Sequence, residues 1–219
     1  MGLFRDKLLR WVKPIHRRMR DEKIDLFLRL VGTPSFRYRL LDVGGGTGID
    51  GEFLRMYASF AEVVVVNLNI STLETPNGAH IRSISADGCA LPFGSQSFDW
   101  IFSNAVIEHV GNSTRQRCFA DEIRRVAARG YFVATPNKYF PIEPHTLLPF
   151  YQFLPSGQQR RLARLSPGYI TESVEINLLS SGDLYALFPE ACVRKIGLRI
   201  FPNSLVAMHR VSSEFLGRS

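Results

Sequence analysis

The stretch Leu40-Leu41-Asp42-Val43-Gly44-Gly45-Gly46-Thr47-Gly48-Ile49-Asp50-Gly51 constrains this chain more than any other. An apolar run of Leu40, Leu41 and Val43 ends in glycines, and a helical pattern then begins at Ile49, Phe53, Leu54 and Tyr57. The spacing predicts a buried strand, a tight loop and a helix. Glycine suits backbone that turns with positive φ or lies against a ligand, and a helix start offers free N–H groups to a polar group. Asp42 adds a carboxylate to the same rim. An isolated glycine cluster is equally compatible with a ligand-free turn, so the decision falls to the rest of the chain.

Gly46-x-Gly48-x-x-Gly51 formally satisfies the dinucleotide fingerprint. That fingerprint expects its first glycine at the strand end and an acid about 20 residues later. Here the strand ends at Val43, ahead of Gly46, which weighs against a nucleotide-dependent oxidoreductase. Later segments repeat the strand signal. Val63 to Val66 form a continuous apolar run, as in a parallel sheet covered on both faces, and they lead into Asn67-Leu68-Asn69. His80 to Ser85 read as a third strand, followed by Asp87-Gly88-Cys89-Ala90-Leu91-Pro92-Phe93. Ser97-Phe98-Asp99-Trp100-Ile101-Phe102-Ser103-Asn104 reads as a fourth, continuing into Ala105-Val106-Ile107-Glu108-His109-Val110.

In this order and spacing the segments resemble the motifs of class I S-adenosylmethionine-dependent methyltransferases of the small-molecule type. The specific motifs cover about residues 38–135. The resemblance implies an α/β, Rossmann-like, seven-stranded and mostly parallel sheet with an antiparallel last strand, helices on both faces and a small cap insertion. It also implies S-adenosylmethionine as cofactor. Asp42, Gly44, Gly46 and Gly48 would hold the methionine end, with Asn67 at the ribose, Leu68 and Val106 beside the ring, and Asp87, Gly88 and Asn104 completing the site. Asn67 departs from the pattern, because the family carries an acid there and an amide brings no charge and cannot serve as a two-oxygen acceptor. That departure keeps open a cofactor-binding module without catalysis.

Ser113 or Thr114 can cap a helix running to about Ala127, with Ala128-Arg129-Gly130 as its stop and Tyr131 to Ala134 as strand five. Beyond Thr135 lies an aromatic, proline-rich passage, too long for a turn, which predicts a cap at about 136–179 with short helices near Leu147–Leu154 and Gln158–Leu165. Within it, Glu143 and His145 are the candidate general-base pair, set against a histidine satisfied by loop backbone. Glu108 and His109 read as a loop-ordering pair. A helix from Ser180 or Ser181 and strands near Val193–Ile196 and Leu205–Met208 finish the chain.

The formal charge of +7 in 219 residues is unevenly placed. Residues 1–40 hold 11 Lys/Arg against 4 Asp/Glu, and the remainder holds 16 of each. Residues 1–35 therefore read as a basic helical arm, bent or broken near Pro14, followed by the 36–219 body. The arm packs on the domain in one reading and makes peripheral contact with an anionic membrane through residues 1–20 in the other. A neutral body, and Asn104-Ala105-Val106-Ile107 where DNA amino-methylating relatives carry Asn/Asp-Pro-Pro-aromatic, argue against a nucleic-acid acceptor. A small molecule, lipid or glycan unit is expected, with O-methylation the favoured chemistry. Three scattered cysteines and no apolar run long enough to span a bilayer fit a cytoplasmic protein. No metal is implied, because no carboxylate/His cluster has ligand spacing.

Overall fold

The structure, a computed structural model, describes residues 2–32, 35–45, 53–68, 80–163, 166, 176–198 and 200–211, without the side chains of 2–16 and 35. Seven strands form one sheet: β1 (Arg39–Val43), β2 (Glu62–Asn67), β3 (Ile81–Ser85), β4 (Phe98–Asn104), β5 (Ala127–Pro136), β6 (Cys192–Gly197) and β7 (Pro202–Arg210). Their spatial order is β3-β2-β1-β4-β5-β7-β6. All pairings from β3 to β5 are parallel, and β7 runs antiparallel to both neighbours. The chain steps outward from β1 to β3 and then returns to lay β4 on the other side of β1. Such a reversal of direction opens a crevice at the carboxyl ends of the strands. The antiparallel β7 brings its start to that same edge, with Ser204 opposite Pro136.

Alternation along the strands divides the core. Leu41, Val43, Val64, Val66 and Ile101 face a layer built on α3 (Ser113–Val126) and α5 (Ser181–Leu187). Leu40, Val63, Val65, Trp100, Phe102 and Phe132 face α1 (Gly2–Val31) and the one-turn α2 (Leu54–Tyr57). The first helix continues through Pro14, where the sequence suggested a bend or break. Ile24, Phe27 and Val31 of α1 are buried in the second layer, and Phe27 meets the rings of Phe60, Trp100, Phe102 and Phe132. Among the described residues no helix is long and apolar enough to cross a membrane.

Several boundaries differ from expectation for local reasons. Asn112, rather than Ser113 or Thr114, caps α3 by accepting from the Arg115 N–H. That helix passes directly into β5, so Ala128-Arg129-Gly130 is strand and not a stop. Gly130 is needed there for packing, since a Cβ would lie 2.2 Å from the His209 carbonyl oxygen. In the cap, Leu147 and Phe150 take positive φ, which forbids the helix expected near 147–154 and leaves only a 3-10 turn at Tyr151–Phe153. The second cap helix is α4 (Ser156–Ala163). A capping box between Ser180 and Asp183 starts α5.

Candidate active site

The tips of β1, β2, β4 and β5 and the start of β7 meet at one edge of the sheet, and most of the sequence-derived candidates lie there. Gly44 follows β1 with φ +83°, and a Cβ on it would run into the Val106 side chain, so only glycine lets the β1 and β4 tips approach this closely. The Gly44 N–H donates to the Val66 carbonyl oxygen. Gly46, Gly48 and Asn69 lie outside the described residues.

Asp42 is buried below this turn rather than standing on its rim, and it accepts a hydrogen bond from the Tyr57 hydroxyl. Burial pushes its carboxyl up to about 7, with the Tyr57 bond pulling weakly the other way. Asn67 uses its amide group to donate to the Gly45 carbonyl oxygen at 2.9 Å. A carboxylate has no proton to give in that position, so the departure from an acid serves the glycine turn. Leu68, at the β2 tip, is exposed and presents apolar surface. Gly88 packs so closely on α3 that a Cβ would lie 2.7 Å from the Phe119 ring.

Two candidates sit in company that the sequence did not reveal. Asp87, expected to complete the cofactor site, is engaged by Arg115 at 2.8 Å and by the Cys89 N–H. The Arg115 guanidinium holds its carboxyl below the usual range. Asn104, expected among the cofactor ligands, accepts from the Lys23 ammonium at 3.0 Å. Lys23 reaches this point from α1, and burial pushes its pKa down to about 8, with Glu108 opposing.

Beyond Asn104 opens a cavity of about 360 Å³. Lys23 and Met19 of α1, Ala105, and the cap residues Phe140, Ile142 and His145 line it. Ala105 has φ +57°, a left-handed turn that carries the chain from Asn104 on the cavity wall to Val106 against Gly44. The glycine turn and the cavity therefore share the β4 tip as a common wall. A second cavity of about 350 Å³ lies across the cap, lined by Gln116, Thr146 and Asn177, and does not include the strand tips.

The expected Glu143–His145 pair is formed, with His145 on the wall of the first cavity, Glu143 on that of the second, and His145 Nδ1 at 2.6 Å from Glu143 Oε1. Glu143 also accepts from the N–H and hydroxyl of Thr146. Burial works to raise its carboxyl, and these partners outweigh it and hold the group below its ordinary value. His145 Nε2 lies 3.1 Å from His109 Nε2. Glu108 is fully buried. One of its oxygens accepts from Thr135 at 2.9 Å, while Oε1 has no hydrogen-bond partner among the described residues. Burial pushes Glu108 up and His109 down, the latter to about 4 with His145 contributing.

The described residues fit an adenosyl ligand in a Cβ-free turn at Gly44, an exposed apolar Leu68 and a buried carboxyl beneath the turn. Asp87, partly exposed and already bonded to Arg115 and Cys89, keeps acceptor capacity for a further donor. Comparison with known proteins bears on the same edge of the sheet. Residues 41–134 match a family model described as a methyltransferase domain. No curated protein matches the chain in sequence. Among solved structures, magnesium protoporphyrin IX methyltransferase from Synechocystis, with bound SAH, is 14% identical, with 90% of this chain and 84% of that one covered and a TM-score of 0.61. A Pyrococcus horikoshii OT3 protein is 19% identical over 89% of this chain and 91% of that one, with a TM-score of 0.60. Geranyl diphosphate C-methyltransferase from Streptomyces coelicolor A3(2) is 14% identical over 87% and 77%, with a TM-score of 0.59. At such identities the likeness is one of fold.

Proposed function

We infer that the chain, an S-adenosylmethionine-dependent methyltransferase of the class I fold, methylates a hydroxyl oxygen on a small, largely apolar acceptor. The observation that carries this reading is His145, held by Glu143, on the wall of an apolar cavity that begins where the glycine turn ends. The bound cofactor supplies an electrophilic methyl group. Asp42, Gly44 and Leu68 would hold it at the strand tips, with Asn67 fixing the turn.

The chain's own work is to orient the acceptor, exclude water and provide for the hydroxyl proton. Phe140, Ile142 and Pro144 of the cap close the cavity with apolar surface. A volume of about 360 Å³ suits a single small molecule or one lipid or glycan unit. Glu143 accepts from His145 Nδ1 and so leaves Nε2, which faces His109 Nε2, as the atom of this ring that handles the proton. Lys23, tethered to Asn104, places a cation where an oxygen-bearing end of the acceptor enters. The neutral charge balance after residue 40 favours such an acceptor over a nucleic acid. The basic helix α1, in the same reading, serves a cytoplasmic protein that meets anionic membrane through residues 1–20.

The test is transfer of a labelled methyl group into a cell extract fractionated into small molecules, lipids, RNA and protein. Alkali-stable label in the small-molecule or lipid fraction is the expected result, and label confined to RNA or protein would overturn the reading. His145→Gln should lower the turnover of the identified acceptor about 100-fold or more, with cofactor affinity unchanged.

A further inference from the structure

We propose that Glu108, His109 and His145 form a binding site for one divalent first-row transition ion beside the acceptor cavity, whose wall includes His145. Three residues from two loops bring one oxygen and two ring nitrogens within 4.8 Å of one another. The two Nε2 atoms are 3.1 Å apart, and His109 Nε2 is 3.9 Å from Glu108 Oε1. Ligands bound at about 2.0–2.2 Å in tetrahedral geometry lie roughly 3.4 Å from each other. The histidine pair, at 3.1 Å, is a few tenths of an ångström inside that separation, and a shift of the Glu108 carboxylate by about 1.5 Å closes the set.

A second observation points to the same place. Glu108 Oε1 is buried with no hydrogen-bond partner among the described residues, while the other oxygen of the same group is satisfied by Thr135. An orphaned carboxylate oxygen is costly unless something binds it, and a cation between it and two imidazoles answers that cost. The surroundings add the usual outer support. Glu143 grips His145 Nδ1 and thereby presents Nε2 for coordination, and the Thr146 N–H and hydroxyl fix Glu143 in turn. Two imidazoles and one carboxylate suit Zn²⁺, Fe²⁺ or Co²⁺ better than Mg²⁺, which prefers oxygen ligands and retains its waters.

Three protein ligands leave at least one coordination position, and because His145 also lines the cavity, the proposal assigns that position to the acceptor. With the ion present, His145 is a ligand, and an acceptor oxygen is positioned by the metal. The sequence shows no ligand spacing because the first two residues are adjacent and the third lies 36 positions later in the cap.

The test uses the full chain stripped with a chelator and titrated with Co²⁺, Zn²⁺ or Mg²⁺ alone, without acceptor, so its outcome is separate from that of the O-methylation reading. One equivalent of Co²⁺ with ligand-field absorption is expected, displaced by Zn²⁺ and not by Mg²⁺. His109→Gln and His145→Gln should each weaken binding by roughly 100-fold, and Glu143→Gln by about 10–100-fold. Binding of S-adenosylhomocysteine by each variant reports whether the sheet edge is intact, and His209→Gln is the surface control. Absence of stoichiometric binding, or binding that survives loss of both histidines while removal of the free cysteines abolishes it, overturns the proposal.

Discussion

Asp42 and Asn67 show how single residues set the properties of the cofactor edge. Asp42 keeps its proton in the folded chain up to about pH 7, whereas an unfolded aspartate loses it near 3.8. Between those values the folded state binds more protons, so this group's stabilising contribution is complete below about pH 4 and is lost as pH rises through 7. A cationic ligand group held at the turn favours the ionised form. Cofactor affinity should therefore rise between about pH 5 and pH 8 and level off above, a trend that calorimetry would detect and that Asp42→Asn should flatten. A pH-independent affinity in the native protein would contradict this role. Asn67→Asp removes the donor to the Gly45 carbonyl and sets a charge against it. The expected loss is about 1–3 kcal/mol in denaturant unfolding, even though the change restores the residue type of the family.

At the scale of elements, α1 joins two functions that its sequence kept apart. Its last turns supply Ile24, Phe27 and Val31 to the core, and Lys23 on the same helix reaches Asn104 at the cavity. Phe27→Ala should cost about 3–5 kcal/mol, because the ring packs among Phe60, Trp100, Phe102 and Phe132 and leaves a cavity none of them can fill. Denaturant unfolding checks this, and a loss well under 1 kcal/mol would mean the helix is a detachable arm. Much of the sheet was legible in the chain because its signals are local. The run from Val63 to Val66, the glycines after Val43 and the polar end of Phe98–Asn104 each declare a strand or its exit without reference to the rest. The cap was less legible, since the positive φ of Leu147 and Phe150 reflects tertiary constraint that side-chain propensity does not encode.

For the molecule as a whole, the sheet reversal places two sites on either side of the β4 tip. Convergence of this kind escapes sequence reading. Lys23 meets Asn104 across 81 positions, and His109 meets His145 across 36. Neither distance leaves a periodic trace. With Val106 against Gly44 and Asn104 beside the cavity, the proposed function makes the tip a partition between cofactor and acceptor. If the partition is real, damage to one side should leave the other intact. Phe140 belongs to the cavity wall alone, and its carbonyl accepts from Gln152, a backbone contact that a side-chain change preserves. Phe140→Ala removes apolar surface worth about 1.5–3 kcal/mol to a buried partner, which corresponds to a rise of roughly 10–100-fold in acceptor KM. Cofactor affinity should stay within about twofold, as measured by calorimetry with S-adenosylhomocysteine. Parallel loss of both would mean that the cap organises the cofactor edge as well, and that the two sites are one.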